Sequence, residues 1–372
     1  MKEYKVGLIG FGFIGKVHCF GWQNLPLFYD QKEFSAKVVK VCTARPETAQ
    51  RAAELTGAEG GTDFRAITDD PEIDIVDIAT PNDRHCEALE AALRAQKHIY
   101  CDKPLVENAA EAEKIAALLP GYRGVGQMTL MYRFYPAVKR AKQLIDEGRI
   151  GRILEVHGSF LHSGSVSPDT PYKWKLGAGT IADLGSHIFD VIQYLAGPAE
   201  SLSAMTFIAH GERRDARDPQ KIVKITAEDA MHCLVRLANG AVGTISASKV
   251  ATGSEDALSF SIHGTRGALR MNGMNLQQLF FYDMTTPEAP LGGERGWTAI
   301  ECGARYGSPA GFPPPKSVMG WMRGHVHCLY HFLESVHRGE TRAPSLTDGV
   351  QLQFVLEKIK ESAKTGQWVR LD

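Results

Sequence analysis

The 372-residue sequence lacks the features that mark several classes of protein. No apolar run approaches the ~20 residues that a membrane-spanning helix needs. With 42 basic and 43 acidic residues the net charge is -1, so there is no basic excess to bind a nucleic-acid backbone. The seven cysteines form no CxxC pair, and the charged residues 1–5 are unlike a signal peptide. We therefore expect a cytoplasmic protein with reduced thiols that binds neither membranes nor nucleic acid.

The first 125 residues alternate between short apolar runs and amphipathic segments. This alternation predicts strands at 4–10, 38–42, 74–79 and 98–101, and helices at 14–25, 46–56, 84–95 and 107–119. Strands that alternate with helices indicate a parallel sheet covered on both faces. We therefore predict an α/β domain over residues 1–125, with a doubly wound parallel sheet of the Rossmann type.

The pattern changes after residue 125. Strand-like segments follow at 153–160, 201–208, 231–237, 241–248, 258–263 and 267–271, and Asn239-Gly240 between two of them indicates a hairpin. Helices are predicted at 137–147, 323–338 and 348–364. Residues 126–372 are thus expected to form an α+β domain with a large, mostly antiparallel open sheet. The segments 26–37 and 285–320 are irregular, and the sequence assigns them no role.

A GxGxxG motif at residues 10–15 follows the first strand directly and opens the first helix. Glycine-rich turns in this context bind the pyrophosphate of a dinucleotide through backbone N–H groups and the helix N-terminus. The residues expected to contact the cofactor here are Gly10, Gly12, Phe13, Ile14 and Gly15.

The end of the second strand carries no acidic residue for the ribose 2′-hydroxyl of NAD. Thr43 and Arg45 lie there instead, and a hydroxyl with a guanidinium suits a 2′-phosphate. The sequence therefore favours NADP within the NAD(P) class. The alternative is that Arg45 only covers the adenine ring and both cofactors are accepted.

Two further segments carry residues suited to catalysis. Lys103 follows the fourth strand, and the carboxyl ends of parallel strands are where ligands bind, so a lysine there can stabilise a developing alkoxide. Asp183 and His187 are four residues apart, on one face of a predicted helix. A histidine beside a carboxylate is a suitable general base near neutral pH. The alternative for this helix is a buried element whose polar face caps neighbouring loops.

Other candidate residues have simpler interpretations beside functional ones. His325, His327 and His331 lie close together, and the last two share a helix face. No carboxylate completes a metal site, so we predict no metal and expect helix-surface histidines, or one histidine that reaches the substrate cleft. His18 is expected in the core, or alternatively facing the cleft. Tyr172 and Trp174 precede the Asp183 segment, where an aromatic ring either stacks on a sugar or packs in the core.

Five segments occur in an order that resembles one family. They are GFGFIG at 10–15, TPNDRH at 80–85, YCDKPL at 100–105, MYRFYPAV at 131–138 and GAGTIADLGSHIFD at 177–190. Together they closely resemble the glucose–fructose oxidoreductase and inositol dehydrogenase family (Gfo/Idh/MocA) over essentially the whole chain. Asp102 departs mildly from the family pattern, which usually has glutamate before the lysine.

The resemblance implies a Rossmann domain, a second domain whose open sheet often makes oligomer contacts, and hence a homo-oligomer, either a dimer or a tetramer. It implies catalysis by Lys103 and His187, with Asp183 as substrate ligand and partner of the histidine. Residues expected near the nicotinamide are Thr80, Pro81, Asn82 and His85. Tyr132 and Arg133 match family positions near the substrate or the domain junction. Beside these, Tyr172 and Trp174 remain candidate substrate contacts from their place in the sequence.

The expected function is therefore hydride transfer between NAD(P) and a hydroxyl or keto carbon of a sugar, sugar derivative or cyclic polyol. In this hypothesis His187 accepts the hydroxyl proton, and Lys103 stabilises the oxyanion. Two alternatives remain at this point: a non-catalytic sensor of sugars or nucleotides on the same fold, and a reductase of a non-sugar ketone or dihydrodiol. The particular sugar, the carbon oxidised and the physiological direction do not follow from the sequence.

Overall fold

A computed structural model describes residues 1–172 and 178–371, and the chain forms two compact units. The first comprises Met1–Phe134 and Tyr306–Gln353, and the second comprises Tyr135–Arg305 and Phe354–Asp372. The division expected from the sequence, 1–125 and 126–372, differs chiefly in residues 306–353, which return to the first unit. No helix in the described residues is long and apolar enough to span a membrane.

The first unit is built on a six-stranded sheet in which every pair of neighbours is parallel. Its strand order is β3-β2-β1-β4-β5-β6, so the order reverses between β1 and β4, where open α/β sheets bind ligands. The strands are β1 (Lys2–Ile9), β2 (Phe34–Cys42), β3 (Glu59–Gly61), β4 (Ile75–Ile78), β5 (His98–Cys101) and β6 (Gly126–Met128). The predicted parallel sheet is confirmed, and the short strands β3 and β6 are additions to it.

The second unit is built on a nine-stranded sheet in the order β16-β15-β14-β13-β7-β12-β11-β8-β17. Within the described residues, β7 and β12 are its one parallel pair. The strands of this unit are β7 (Ile153–Leu161), β8 (Ala199–Phe207), β9 (Glu212–Arg214), β10 (Ile222–Lys224), β11 (Ala230–Leu237), β12 (Val242–Ser248), β13 (Ala257–Gly264), β14 (Gly267–Asn272), β15 (Gln278–Asp283), β16 (Trp297–Glu301) and β17 (Val369–Arg370). The predicted large, mostly antiparallel sheet is therefore confirmed, including the hairpin at Asn239-Gly240.

Both units also contain helices. They are α1 (Phe13–Phe28), α2 (Pro46–Thr56), α3 (Arg65–Thr68), α4 (His85–Arg94), α5 (Ala109–Leu118), α6 (Pro136–Asp146), α7 (Ser186–Ala196), α8 (Trp321–Arg338) and α9 (Leu346–Thr365). In the second unit one sheet face packs on helices and the other is open. Along β11, for example, Cys233 and Val235 are buried, whereas His232 and Leu234 are exposed.

A buried ion pair connects α1 to β4 in the first unit. The His18 Nδ1 atom lies 2.8 Å from Asp77 Oδ1, and Trp22 Nε1 donates to Asp77 Oδ2 at 2.7 Å. Burial opposes a charged imidazole, but the charge of Asp77, the hydrogen bond to it and the charge of Asp102 together raise the pKa of His18. His18 is thus a core residue, as the simpler of its two interpretations predicted.

The irregular segment after the first predicted helix is shorter than expected. Helix α1 continues past the predicted end at residue 25 and includes Pro26, so only residues 29–33 separate it from β2. A proline in the last turn removes one N–H but leaves the turns before it intact, which explains the misplaced end. The linker then pairs with the loop before α8: Asp30 N donates to Pro309 O at 2.9 Å, and Gly311 N donates to Phe28 O at 3.0 Å.

Arg323 of α8 holds these two segments together. Its guanidinium carbon lies 4.9 Å from the ring centre of Phe28, 5.0 Å from that of Tyr29 and 4.1 Å from that of Tyr306. The same guanidinium donates a 2.7 Å hydrogen bond to Tyr29 Oη, and only 5% of the residue is exposed. A buried cation between aromatic faces stabilises the packing of the linker on α8.

We predict that Arg323→Met lowers the free energy of unfolding by about 2–4 kcal/mol, because three aromatic contacts and a buried hydrogen bond are lost. The measurement is urea unfolding followed by circular dichroism. The matched control is Arg338→Met on the same helix, where an exposed ion pair with Glu334 contributes less than about 1 kcal/mol. Equal losses in the two variants would contradict this role for Arg323.

Candidate active site

The glycine motif forms a tight turn between β1 and α1. Gly10 has a φ of +99°, and a Cβ atom there would lie 2.5 Å from the carbonyl oxygen of Ala79. A Cβ atom on Gly15 would lie 2.2 Å from the carbonyl oxygen of Gly10. Both positions therefore require glycine, the first for its backbone conformation and the second for the approach of the helix to the strand.

The residues of this turn fit a dinucleotide phosphate. A Cβ atom on Gly12 would meet no atom within 4 Å, so this backbone faces open space. Gly12 is also the N-cap of α1, and no side chain among the described residues caps the helix there. Uncapped N–H groups at a helix N-terminus favour an anion. Nearby, the buried hydroxyl of Thr80 has no hydrogen-bond partner in the described part of the chain, which also fits a polar ligand.

The residues predicted at the adenosine end lie just after β2. The Thr43 hydroxyl donates to Arg45 O at 3.1 Å and lies 2.6 Å from the Thr48 hydroxyl. Arg45 is exposed, and its Nε atom lies 3.3 Å from Glu47 Oε1. The expectation of NADP depends on the positive charge of Arg45, and the carboxylate of Glu47 lies next to that charge.

The loop after β4 carries the residues predicted beside the nicotinamide. The backbone of Thr80 packs against Gly10, since a Cβ atom on Gly10 would lie 2.8 Å from Thr80 N. Pro81 and Asn82 are the next residues of the loop. His85 is fully buried at the start of α4. Its Nε2 atom lies 2.9 Å from Thr80 O and its Nδ1 atom 3.0 Å from Pro104 O. His85 therefore holds the loop after β4 against the loop after β5, a role that the sequence did not suggest.

Lys103 lies two residues beyond the end of β5 and is half-buried. Because the sheet is parallel, this places it at the same edge as the glycine turn and the loop after β4. The neighbouring Cys101 is no rival nucleophile. Burial, and then the charges of Asp102 and Asp77, raise the pKa of its thiol well above the usual range, so it stays protonated at neutral pH.

His325, in the first turn of α8, belongs to the same region of the first unit. Its ring lies edge-on to Trp321 at 4.3 Å, and Trp321 lies 5.8 Å from Phe13 in the glycine turn. Burial, followed by the positive charges of His18 and Lys103, lowers the pKa of His325 well below its usual value. Neither ring nitrogen has a hydrogen-bond partner among the residues described. Both nitrogens of this neutral imidazole are therefore available to form a hydrogen bond with a polar ligand.

The Asp183 segment does not begin as the predicted α-helix. Residues Ile181–Gly185 form a π-helical turn, and α7 starts at Ser186. Such turns widen the spacing of side chains and often occur at functional sites. The Nζ atom of the buried Lys249 lies 3.2 Å from Asp183 Oδ2, an ion pair that sequence spacing does not reveal. His187, on α7, is 9% exposed, and its ring centre lies 6.0 Å from that of Phe160.

Four further residues were predicted near the substrate, and the first of them, Tyr132, is buried. Arg133 forms an ion pair with Asp348, with 3.5 Å between the Nη1 and Oδ1 atoms, so its charge is balanced within the first unit. Tyr172 is half-buried, and its backbone pairs with the end of β9 through a 2.7 Å bond from its N–H to Arg214 O. Trp174 lies outside the described residues.

The histidines of α8 differ from the surface histidines that were predicted. His325 is buried, His327 and His331 are half-buried, and His331 Nδ1 lies 2.8 Å from Gln127 Oε1. No group of three metal-ligating side chains suited to a metal ion occurs within residues 1–172 and 178–371.

Comparison with known proteins identifies the family of this chain. Residues 4–126 match the family model described as an oxidoreductase family with an NAD-binding Rossmann fold, and residues 138–270 match the GFO/IDH/MocA C-terminal domain. Levoglucosan dehydrogenase from Pseudarthrobacter phenanthrenivorans is 33% identical over 392 residues, covering 99% of this chain and 98% of that protein. Inositol 2-dehydrogenase from Rhizobium meliloti is 28% identical over 71% of this chain and 74% of its own length.

A solved structure of levoglucosan dehydrogenase in complex with NADH and levoglucosan is similar over 100% of both chains, with 31% identity and a TM-score of 0.93. The resemblance expected from the sequence motifs is thereby confirmed at the level of the family. The chain belongs to the GFO/IDH/MocA family of NAD-binding oxidoreductases.

Proposed function

We propose that the chain oxidises a hydroxyl group of levoglucosan or a related cyclic polyhydroxy compound with NAD, or catalyses the reverse reduction. The observation that carries the proposal is Lys103 at the sheet edge that also holds the glycine turn. The relatives named above, levoglucosan dehydrogenase and inositol 2-dehydrogenase, support the substrate class.

In this proposal the first unit holds the cofactor. The backbone of Gly10, Gly12 and Gly15, with Phe13 and Ile14, binds the pyrophosphate at the N-terminus of α1. The loop that His85 fixes, with Thr80, Pro81 and Asn82, lies at the nicotinamide end. These residues would hold a nicotinamide cofactor, which would supply the hydride-transfer chemistry of the reaction.

The chain's own groups manage the proton and the charge on oxygen. His187 accepts the proton of the substrate hydroxyl as general base, and Lys103 stabilises the negative charge that grows on that oxygen. Asp183 accepts a hydrogen bond from a neighbouring hydroxyl and orients the ring of the substrate. Arg133, Tyr172 and Trp174 remain candidate substrate contacts predicted from the sequence.

We propose NAD rather than the NADP that the sequence favoured. Glu47 Oε1 lies 3.3 Å from Arg45 Nε, so an acidic side chain offsets the charge of the arginine expected to bind a 2′-phosphate, and the structure of the relative contains NADH. A carboxylate in that position suits a free ribose hydroxyl and repels a phosphate.

The cofactor choice predicts a kinetic preference. At equal concentrations of the two cofactors, kcat/KM for NAD should exceed that for NADP at least about tenfold, a difference of ~1.4 kcal/mol. Initial rates with a saturating sugar substrate measure this ratio. Equal or faster turnover with NADP would restore the original expectation.

The glycine turn predicts the result of a small substitution. Gly12→Ala adds a methyl group that touches no protein atom but lies where the pyrophosphate approaches, so the Kd of NADH should rise at least about tenfold while the melting temperature stays unchanged. Titration by the fluorescence of bound NADH measures the Kd. Gly121→Ala, equally open and outside the motif, is the matched control and should leave the Kd unchanged.

The proposed catalytic groups predict losses of turnover without loss of cofactor. Lys103→Met and His187→Ala should each lower kcat about 10²–10⁴-fold, because charge stabilisation or proton transfer is removed. The Kd of NADH should change by less than about threefold. Exposed residues of the same type and the same unit provide the controls, Lys114→Met and His232→Ala. Near-normal kcat in either catalytic variant would refute its assignment.

We also propose that the open face of the nine-stranded sheet binds a second copy of the chain. Large apolar side chains are exposed on its strands: Met205, Phe207, Leu234, Val242 and Trp297. Exposed apolar side chains of this kind mark protein interaction surfaces. The resulting dimer or tetramer, and the cytoplasmic location, remain predictions from the sequence.

A further inference from the structure

We propose that Lys249 is a positioning residue that fixes the carboxylate of Asp183 in the orientation that binds a substrate hydroxyl. The inference rests on the proposed function, because it assigns a partner to one of the residues proposed to bind the substrate. Neither the sequence motifs nor the spacing of Asp183 and His187 points to a lysine that lies 66 positions further along the chain.

Lys249 reaches Asp183 from the end of β12. Its Nζ atom lies 3.2 Å from Asp183 Oδ2 and donates to the carbonyl oxygen of Gly179 at 3.1 Å. One ammonium group thus contacts the segment before the π-helical turn and a carboxylate within it. Because these two contacts lie four residues apart, they define the position of the turn as well as that of the carboxylate.

The backbone of Lys249 is itself held from two sides. Its N–H donates to Asp229 O at 2.8 Å, and its carbonyl oxygen accepts from Ser165 N at 2.9 Å. The Lys249 side chain therefore starts from a fixed point at the end of the sheet. Fixing the anchor limits the places that the ammonium group can reach, and so limits the orientation of Asp183.

Glu228, next to Asp229, supports the same turn. Its carboxylate accepts a 2.8 Å hydrogen bond from Ile181 N, and its backbone carbonyl accepts a 3.0 Å bond from Thr180 N. These bonds hold the backbone of the turn but do not contact the Asp183 side chain. The Lys249 ammonium group, by contrast, contacts the carboxylate itself.

The side chains of Lys249 and Asp183 differ in their exposure to solvent. The Lys249 side chain is 9% exposed, whereas 22% of the Asp183 side chain is exposed. Of the two side chains, that of Asp183 is therefore the more accessible to a ligand. A buried ammonium is stabilised only when it is paired and hydrogen-bonded, so the pair persists in the folded protein. We conclude that Lys249 acts on the substrate through Asp183.

The test compares steady-state kinetics for the sugar substrate at saturating NAD in variants of the full chain. Lys249→Met should raise KM about 10–100-fold and lower kcat less than about fivefold, because binding of the ring is lost more than the chemistry. Lys249→Arg, which keeps the charge, should restore KM to within about threefold of the native value. The Kd of NADH should be unchanged in both variants.

A double-variant cycle identifies Asp183 as the residue through which Lys249 acts. In an Asp183→Asn background, Lys249→Met should change KM by less than about twofold, because the two groups work as a unit. Arg149→Met is the matched control, since Arg149 and Asp283 form an ion pair at the same 3.2 Å distance elsewhere in the second unit. That variant should leave KM unchanged.

Three results would overturn the inference. They are an unchanged KM in Lys249→Met, a similar KM in Lys249→Arg and Lys249→Met, and independent effects of Lys249→Met and Asp183→Asn in the cycle. If Lys249→Met does not fold, judged by its melting curve, Lys249→Gln takes its place under the same criteria. Absence of turnover by the native chain with any cyclic polyol would refute the proposed function and this inference together, whereas native turnover with an unaffected variant refutes this inference alone.

Discussion

The close approach of Gly15 to the carbonyl oxygen of Gly10 is the constraint on which the first unit depends. A Cβ atom at Gly15 would lie 2.2 Å from that oxygen, so only glycine lets α1 begin directly against the end of β1. The uncapped N–H groups of the helix then lie at the edge of the sheet. Because all six strands run parallel, the loops after β4 and β5 reach the same edge. His85 ties those two loops together, and Lys103 lies in the second of them.

The second unit holds charged and titratable groups that are partly shielded from water. Lys249 is buried but paired with Asp183, and the π-helical turn that carries Asp183 is held by Glu228. Such an arrangement loses solvation and gains fixed geometry, which a binding site needs more than stability. In our proposal the cofactor residues belong to one unit and the acid and imidazole to the other.

Much of this was predictable because it is encoded locally. The alternation of strands and helices, the glycine motif and the hairpin at Asn239-Gly240 depend on residues close in sequence, and the structure confirms them. The same holds for the family, whose motifs are short segments. The position of Lys103 at the sheet edge also followed, because any residue after a parallel strand lies there.

The contacts that were missed join distant residues. Tyr29 and Arg323 are 294 positions apart, so no local pattern reveals that residues 306–353 return to the first unit or that the 26–37 segment packs on them. Lys249 and Asp183 are 66 positions apart, so spacing along the chain does not connect them. His325 looked like one of several helix histidines, since burial and neighbouring charges lie outside what spacing alone can show.

The central claim is that Lys103 and His187 act on one substrate oxygen. The most direct measurement is a crystal structure of the chain with NADH and a cyclic polyol bound. The account predicts that Lys103 Nζ and a ring nitrogen of His187 both lie within hydrogen-bond distance, about 2.6–3.2 Å, of the same hydroxyl oxygen of the polyol. Two side chains that contact different parts of the ligand, or a dinucleotide bound away from the glycine turn, would contradict it.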